Sequence, residues 1–324
     1  MTNTERHHGW KWPGFGWLLW FACSFVTAAE TGSPQTARQW LDAMVDAMRS
    51  RGYQATVVYS RENDLKLFKL THQVRDGVVY EHFQALGDPL RQVVREADKV
   101  TCYFPDRRIR VEYHNRPNAL FASLSSHWDE QERHYRLQSG RRGHTIGRPS
   151  QEIVITPLDE YRYGRRIWID VATRLPLKFE LLDRQGNILE ALAVTDLGLD
   201  PEVGPERGGM RGHEDWKLIR RKETEPVERW RLTKLPPGFR EVRRSQRVVA
   251  GTDATVDHLL LSDGLATVSV YISRNEGKDF DSGIFKRGGV SVFRRPVQGH
   301  VITVVGDVPM ITVRTIGEGI RMEE

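Results

Sequence analysis

Between Arg166 and Glu190 the chain reads RIWIDVATRLPLKFELLDRQGNILE. Ile167, Ile169 and Val171 alternate with Trp168 and Asp170, and Leu177, Phe179 and Leu181 alternate with Lys178, Glu180 and Leu182. That period of two belongs to strands, where successive side chains leave opposite faces. Thr173-Arg174-Leu175-Pro176 and Asp183-Arg184-Gln185-Gly186-Asn187 separate the runs. Pro176 fixes the backbone before the second strand, and Gly186 can take a positive φ. Two tight turns about ten residues apart imply an antiparallel meander.

The same pattern extends in both directions. Strand-like runs occupy Ala55–Tyr59, Leu65–Leu70, Val78–Phe83, Arg91–Arg95, Lys99–Phe104, Arg108–Glu112 and Glu152–Thr156, with Gly77, Gly87-Asp88-Pro89 and Pro105-Asp106 between them. Ahead of them, Ser33-Pro34 is placed to open a helix and Gly52 to close it; Trp40, Leu41, Met44, Val45 and Met48 form its apolar stripe. Asn118–Glu132 reads as a second, short helix. The expected class is α+β, mostly antiparallel β: a long, curved sheet with helices on its concave face, over residues 30–203. At 324 residues the chain has room for a second core. Pro201–Glu225 loses all periodicity, so 204–225 is read as a linker, and 226–324 as a smaller α+β carboxy-terminal domain. Its strands are expected at Arg240–Val249, His258–Ser262, Ala266–Ile272, Val290–Arg294 and His300–Val305. Val313, Ile316 and Ile320 fit a terminal helix that Gly317 and Gly319 weaken.

Residues 1–29 differ from the rest. Arg6 and Lys11 precede the apolar run Trp17–Val26, which ends in Thr27-Ala28-Ala29. About ten apolar residues cannot span a bilayer, which takes ~20, so the segment reads as a secretory signal cleaved at Ala28 or Ala29, with an uncleaved anchor as the alternative. Cleavage removes Glu5, Arg6 and Lys11 and lowers the net charge from +5 to +4. It also removes Cys23, leaving Cys102 without a disulfide partner in the mature chain.

The pattern W-I-D-x-x-T-x-L-P-L-K-x-E-L-L-D-x-x-G, from Trp168 to Gly186, resembles the MucB/RseB family of periplasmic regulators of the sigma-E envelope stress response. Three further blocks are similar: L-P-P-G-F at Leu235–Phe239, H-L-L-L-S-D-G-L-A-x-V-S-V-Y-I at His258–Ile272, and I-T-V-V-G-D-V-P at Ile302–Pro309. The resemblance covers almost the whole mature chain; Asn115–Gly147 and the linker match loosely. It implies a lipid-accommodating amino-terminal half-barrel like that of the LolA/LolB lipoprotein carriers. It also implies binding to the periplasmic domain of a membrane-bound anti-sigma factor, mainly through the carboxy-terminal domain and the domain junction. No residue role carries over by motif.

Catalysis has no motif here. H-E-x-x-H, C-x-x-C, the phosphate-cradling G-x-x-x-x-G-K-S/T and G-x-S-x-G are all missing. The eleven histidines, among them His72, His82, His114, His127, His134 and His144, lack ligand spacing, so neither a metal nor a cofactor is expected. Cys102 reads as a small buried hydrophobe, and Asp170, Asp183, Glu180, Asp263 and Asp307 as turn and surface residues.

Binding remains. A curved sheet that its helices cover incompletely leaves an apolar hollow for an acyl chain. The candidates for its lining are Tyr59, Phe68, Tyr80, Phe83, Tyr103, Phe121, Trp128, Trp168 and Phe179, each of which ordinary core packing would also explain. Arg220, Arg221, Lys222, Arg243, Arg244, Arg294 and Arg295 are the candidates for an acidic partner or the phosphates of lipopolysaccharide, against solvated surface charge. Arg107-Arg108, Arg141-Arg142 and Arg165-Arg166 are similar pairs. Nucleic acid is excluded by the export signal and the near balance of charge. The expected function is negative regulation: binding the anti-sigma factor, protecting it from proteolysis and releasing it on sensing lipid or lipoprotein. A periplasmic lipoprotein or lipid carrier is the alternative, and a homo-oligomer stays open.

Overall fold

The computed structural model describes residues 35–87, 91–114, 128–201, 215–220, 230–248, 255–275 and 281–323. Residues 1–29, on which the signal expectation falls, and Ser33, Pro34, Phe121, Arg221 and Lys222 lie outside the described residues.

Helix α1 spans Ala37–Ser50 and is set by a reciprocal cap. Thr36 Oγ1 accepts the Gln39 N–H at 3.2 Å, and Gln39 Oε1 accepts the Thr36 N–H at 2.8 Å. This cap starts the helix later than Ser33-Pro34 would. Gly52 does not close it either: Arg51 is already extended. Gly52 instead admits Asp200, whose Oδ1 would stand 3.1 Å from a Cβ there, and the Gly52 carbonyl accepts the Asp200 N–H at 2.9 Å. The apolar stripe of α1 is buried as its spacing requires.

The first sheet has twelve strands: β1 (Tyr53–Arg61), β2 (Asp64–Arg75), β3 (Val78–Ala85), β4 (Gln92–Glu96), β5 (Lys99–Phe104), β6 (Ile109–His114), β7 (Tyr135–Thr145), β8 (Arg148–Pro157), β9 (Gly164–Asp170), β10 (Pro176–Leu182), β11 (Ile188–Leu199) and β12 (Lys217–Arg220). Their order is β12-β6-β5-β4-β3-β2-β1-β11-β10-β9-β8-β7. Two meanders, β1 to β6 and β7 to β11, are thus joined where β1 pairs with β11, from Tyr53↔Leu199 to Arg61↔Glu190. The sheet is curved and open, with α1 packed on its concave face against β2, β7 and β8. Trp40, Leu41 and Met44 meet Ile153, Ile155, Ile167 and Ile169 there.

Two strands of this sheet, β7 and β12, fall outside the runs read from the sequence, as do β13 (Trp230–Leu232), β17 (Gly283–Arg287) and β20 (Ile320–Met322) of the second domain. In β7 the pairing with β8 slips between Ser139 and Arg142, so its sequence shows no steady alternation. β12 lies inside the tract read as linker: Leu218 and Ile219 pair in parallel with Arg110 and Val111 on the edge strand β6. Four residues are too few to display a period. The second helix, α2, spans Trp128–Gln131; the rest of the Asn118–Glu132 expectation falls largely outside the described residues.

The second sheet is antiparallel throughout. It comprises β14 (Arg240–Val248), β15 (Thr255–Ser262), β16 (Thr267–Arg274), β17 (Gly283–Arg287), β18 (Val290–Val297) and β19 (His300–Gly306), in the order β14-β15-β16-β19-β18-β17. Helix α3 (Met310–Glu318) covers it, burying Val313 and Ile316 against Val270, Ile302 and Val304. A short ribbon pairs β13 (Trp230–Leu232) with β20 (Ile320–Met322). Ile320 therefore belongs to a strand, because the helix ends at Gly319, where a Cβ would stand 2.6 Å from the Lys234 carbonyl oxygen.

Candidate functional site

The concave face holds a hollow of about 390 Å3. Strand pairing arranges its floor in rows. Phe179, Leu192 and Tyr59 are cross-strand neighbours, as are Val194, Val57 and Phe68, and as are Leu197, Ala55, Leu70 and Phe83. All ten line the cavity. The small residues Ala55, Val57 and Val194 occupy the middle, where β1 and β11 join. The aromatic rings stand at the margins, Phe68 and Phe83 stacked with centroids 4.6 Å apart. A hollow results because the central side chains are too short to meet whatever lies above them. The register break between Thr56 and Val57 shifts the phase of β11, so that both Val194 and Leu197 face inward.

The cavity carries few polar groups. Tyr59 donates its hydroxyl to Glu190 Oε2 at 2.7 Å, and burial, followed by that carboxylate, pushes its pKa up. Glu190 Oε1 accepts the Gly289 N–H at 3.1 Å from the β17–β18 turn, while Glu62 Oε1 accepts the Gly288 N–H at 2.7 Å. Arg165, Leu265 and Asp307 complete the wall. Leu265 and Asp307 belong to the second sheet's domain, so the hollow is bounded by both.

Of the nine aromatic candidates, Tyr59, Phe68, Phe83 and Phe179 line the cavity. Tyr80, Tyr103 and Trp168 do not, and strand parity is the reason. Tyr80 is three residues from Phe83, and Trp168 pairs across β10 with Lys178 whereas Ile167 pairs with Phe179. Tyr103 shares the row of Gln92 and Gln84, opposite in phase to Phe83. Trp168 stacks instead with the cations of Lys178 (4.5 Å) and Arg166 (5.5 Å). Trp128 is fully buried beneath α1, its Nε1 donating to Asp42 Oδ1 at 2.9 Å.

The basic candidates are dispersed. Arg220 lies 3.5 Å from Glu112 on the sheet edge. Arg243 and Arg244 sit on β14, where Arg244 makes a two-pronged pair with Glu241 (2.8 and 2.7 Å) and donates to the Trp230 carbonyl. Arg294 reaches Thr303 Oγ1 at 3.3 Å, while Arg295 donates to the carbonyls of Gly317 (2.8 Å) and Ile320 (2.7 Å), capping α3. Of the Arg165-Arg166 pair, Arg166 is half-buried and Arg165 is withdrawn from the surface. Arg166 pairs with Glu180 at 2.8 Å, and Arg165 is 4% exposed.

Arg165 belongs to a buried junction that sequence reading missed. Arg162, fully buried, donates from Nε to Asp263 Oδ2 at 2.7 Å and also contacts Asp159 and the Pro237 carbonyl. Its guanidinium faces the rings of Tyr135 and Phe239. The Tyr135 hydroxyl donates to the same Asp263 oxygen at 2.8 Å, and burial pushes its pKa up. Arg165 Nη2 donates to the Leu265 carbonyl at 2.8 Å and lies 3.8 Å from Asp307. Thr312 Oγ1 donates to the Tyr161 carbonyl at 2.7 Å. Asp263 holds its turn, as its sequence context implies: Oδ1 accepts the N–H groups of Leu265 and Ala266. The second oxygen has a long-range partner that no local pattern announces.

The carboxylates expected at turns and on the surface are engaged structurally. Asp170 is buried, accepting from Ala172 N–H, Thr173 Oγ1 and Arg148. Asp183 accepts the N–H groups of Gln185 and Asn187. Cys102 is half-buried, its Sγ 3.8 Å from the Tyr113 hydroxyl. Among the described residues no His, Cys, Asp and Glu cluster is placed to hold a metal, and no helix is long and apolar enough to cross a membrane.

Residues 36–210 match the MucB/RseB N-terminal domain and residues 224–321 the MucB/RseB C-terminal domain. The chain is 28% identical over 297 residues to the sigma factor AlgU regulatory protein MucB of Pseudomonas aeruginosa, covering 89% of this chain and 91% of that protein. Against the sigma-E factor regulatory protein RseB of Escherichia coli K12 it is 24% identical over 318 residues, covering 94% and 98%. The crystal structure of MucB in complex with MucA(peri) superposes with a TM-score of 0.69 at 26% identity, over 89% of this chain and 99% of that one. The Pseudomonas aeruginosa MucA/MucB complex gives 0.70 at 27% identity, with the same coverage. The L-P-P-G-F, S-D-G-L-A and G-D-V-P blocks that build the junction fall inside the second of these domain matches, the W-I-D block inside the first, and the chain belongs to the MucB/RseB family.

Proposed function

We propose that this chain is a periplasmic negative regulator of the sigma-E stress response. It binds the periplasmic part of a membrane-bound anti-sigma factor, shields it from proteolysis and lets it go when a lipid or the acyl chains of a lipoprotein enter the cavity. The observation that carries this reading is the presence of Leu265 and Asp307 in the cavity wall. A ligand in the hollow of the first domain touches the second, so its binding free energy can be linked to how the second domain is held. Each tenfold shift in partner affinity requires about 1.4 kcal/mol of difference in ligand affinity between the two states. The names of the relatives and the MucB complexes with MucA support the class of partner. The amino-terminal segment supports export.

The test is a pull-down of the periplasmic segment of the cognate anti-sigma factor with the purified mature chain, with and without lipopolysaccharide. Binding in the first arm and release in the second are expected. No binding overturns the regulator reading and favours a lipid or lipoprotein carrier. Binding that no lipid alters overturns the sensing step alone.

A further inference from the structure

The floor of the hollow ends in a row that the second domain covers. Beyond Phe179, Leu192 and Tyr59, the next inward-facing residues of β10, β11 and β1 are Leu181, Glu190 and Arg61, which the register places side by side. The β17–β18 turn lies on this row. A side chain at Gly288 would collide with that of Arg61, and one at Gly289 with Leu181, so the turn's backbone reaches the sheet through two residues that carry none. At the far end the hollow is bordered by Met48 of α1 and by Tyr53, both in the first domain.

Glu190 joins floor and turn. Its Oε2 accepts the Tyr59 hydroxyl at 2.7 Å; its Oε1 accepts the Gly289 N–H at 3.1 Å, with Arg61 Nη1 at 3.9 Å. Hydrogen bonds to a charged acceptor are stronger than neutral ones. The turn's other carboxylate, Glu62 on the Gly288 N–H, is exposed and does not line the hollow, whereas Glu190 does. An acyl chain laid along the floor past Tyr59 runs into the turn, so chain and turn compete for the same end of the cavity. Resting on the lipid-binding reading above, we propose that Glu190 is a positioning residue: it holds the β17–β18 turn across one end of the acyl site, and a chain that reaches Tyr59 lifts the turn away. Closed turn and bound chain then oppose each other, and each weakens the other by the same factor. The turn is the part of the second domain that registers an occupied hollow.

The test is amide hydrogen exchange of the full mature chain with and without saturating monolauroyl glycerol, kept below its micelle concentration, together with the affinity of that probe. In the unaltered protein the probe is expected to speed exchange at Gly288 and Gly289 about tenfold, as loss of one charge-assisted hydrogen bond allows, and to leave β15 and β16 unchanged. In Glu190→Ala those two amides are expected to exchange fast without probe, and the probe to bind about tenfold tighter than to the parent, because the turn no longer competes. Glu190→Gln, whose side-chain amide can accept from Gly289 and donate to Tyr59, should return both values toward the parent. A merely structural role for Glu190 would loosen the variant and weaken binding. Bound probe that slows exchange in the turn or leaves it unchanged overturns the proposal in the unaltered protein, whether or not the variants fold. So does Glu190→Ala that binds the probe no tighter than the parent. Failure of the probe to bind at all overturns the lipid-binding reading itself.

Discussion

Arg162 and Asp263 stand 101 residues apart in sequence and meet at 2.7 Å with both side chains withdrawn from solvent. Each belongs to a different sheet's domain, and each has further partners: Asp159 and the Pro237 carbonyl for the arginine, Tyr135 and two turn N–H groups for the aspartate. A buried pair repays its desolvation only when the remaining donors and acceptors are satisfied, and here they are supplied by both domains.

Arg162→Met is therefore expected to cost about 3–5 kcal/mol, because it leaves the Asp263 charge buried and uncompensated. Tyr135→Phe, which removes one hydrogen bond and leaves the pair, should cost about 1–2 kcal/mol. Adding Asp263→Asn to Arg162→Met should recover part of the loss. Urea denaturation of the three variants and the parent measures all of these differences.

The Asp170 carboxyl gives the fold an acid-sensitive point. Burial pushes its pKa up, but the hydroxyl of Thr173, the N–H of Ala172 and the Arg148 guanidinium outweigh burial and hold it below the usual carboxylate value. A lowered folded-state pKa stabilises the fold above the unfolded value, about 3.9, and that contribution is lost as pH falls through the folded value. Asp170→Asn should thus be less stable than the parent at pH 7. The gap should hold down to about pH 5 and close below about pH 4. Denaturation midpoints of parent and variant across that range are the measurement.

How much of this was legible follows from the range of each interaction. The meander around Trp168 and Pro176 is written in adjacent residues, and the register of β9, β10 and β11 follows it. The long antiparallel sheet was legible for the same reason, whereas the half-barrel came from the resemblance to the family. Parity within a strand also held the answer to part of the lining: Phe83 and Tyr80 cannot share a face. What joined the two meanders, Tyr53 to Leu199 across the whole first domain, has no local signature. The junction was invisible for a related reason. Arg162 sits in the polar run Asp159-Glu160-Tyr161-Arg162, which looks solvated, and only the fold brings Asp263 over it.

Gly264 is needed for both conformation and space. Its φ is +95°, and a Cβ there would stand 2.0 Å from Gln131 Nε2, in a side chain only 2% exposed. Gly264→Ala should destabilise by about 1–3 kcal/mol. Gln131→Ala in the same chain relieves the collision and leaves the backbone strain, so it should restore only part of the melting temperature. Full restoration would mean that the glycine is there for space alone.

The cavity owes its existence to short side chains in the middle of the β1–β11 seam, and lengthening one of them tests whether it is the acyl site. Val57 is buried, lies between Val194 and Phe68 across the sheet and borders the hollow. Val57→Phe extends a ring into the hollow rather than into packed side chains, so overpacking should be mild and the unfolding free energy should change by less than about 1 kcal/mol. Affinity for a dodecyl-chain probe should fall at least about tenfold, because several methylenes, each worth about 0.8 kcal/mol of burial, lose their place. Trp168→Ala is the matched control. It deletes a larger aromatic on the opposite face of β9, where the ring stacks with Lys178 and Arg166 and touches no part of the hollow. That variant should bind the probe as the parent does. If Val57→Phe binds normally and Trp168→Ala does not, the acyl chain lies on the outer face of the sheet and the concave hollow is a packing defect.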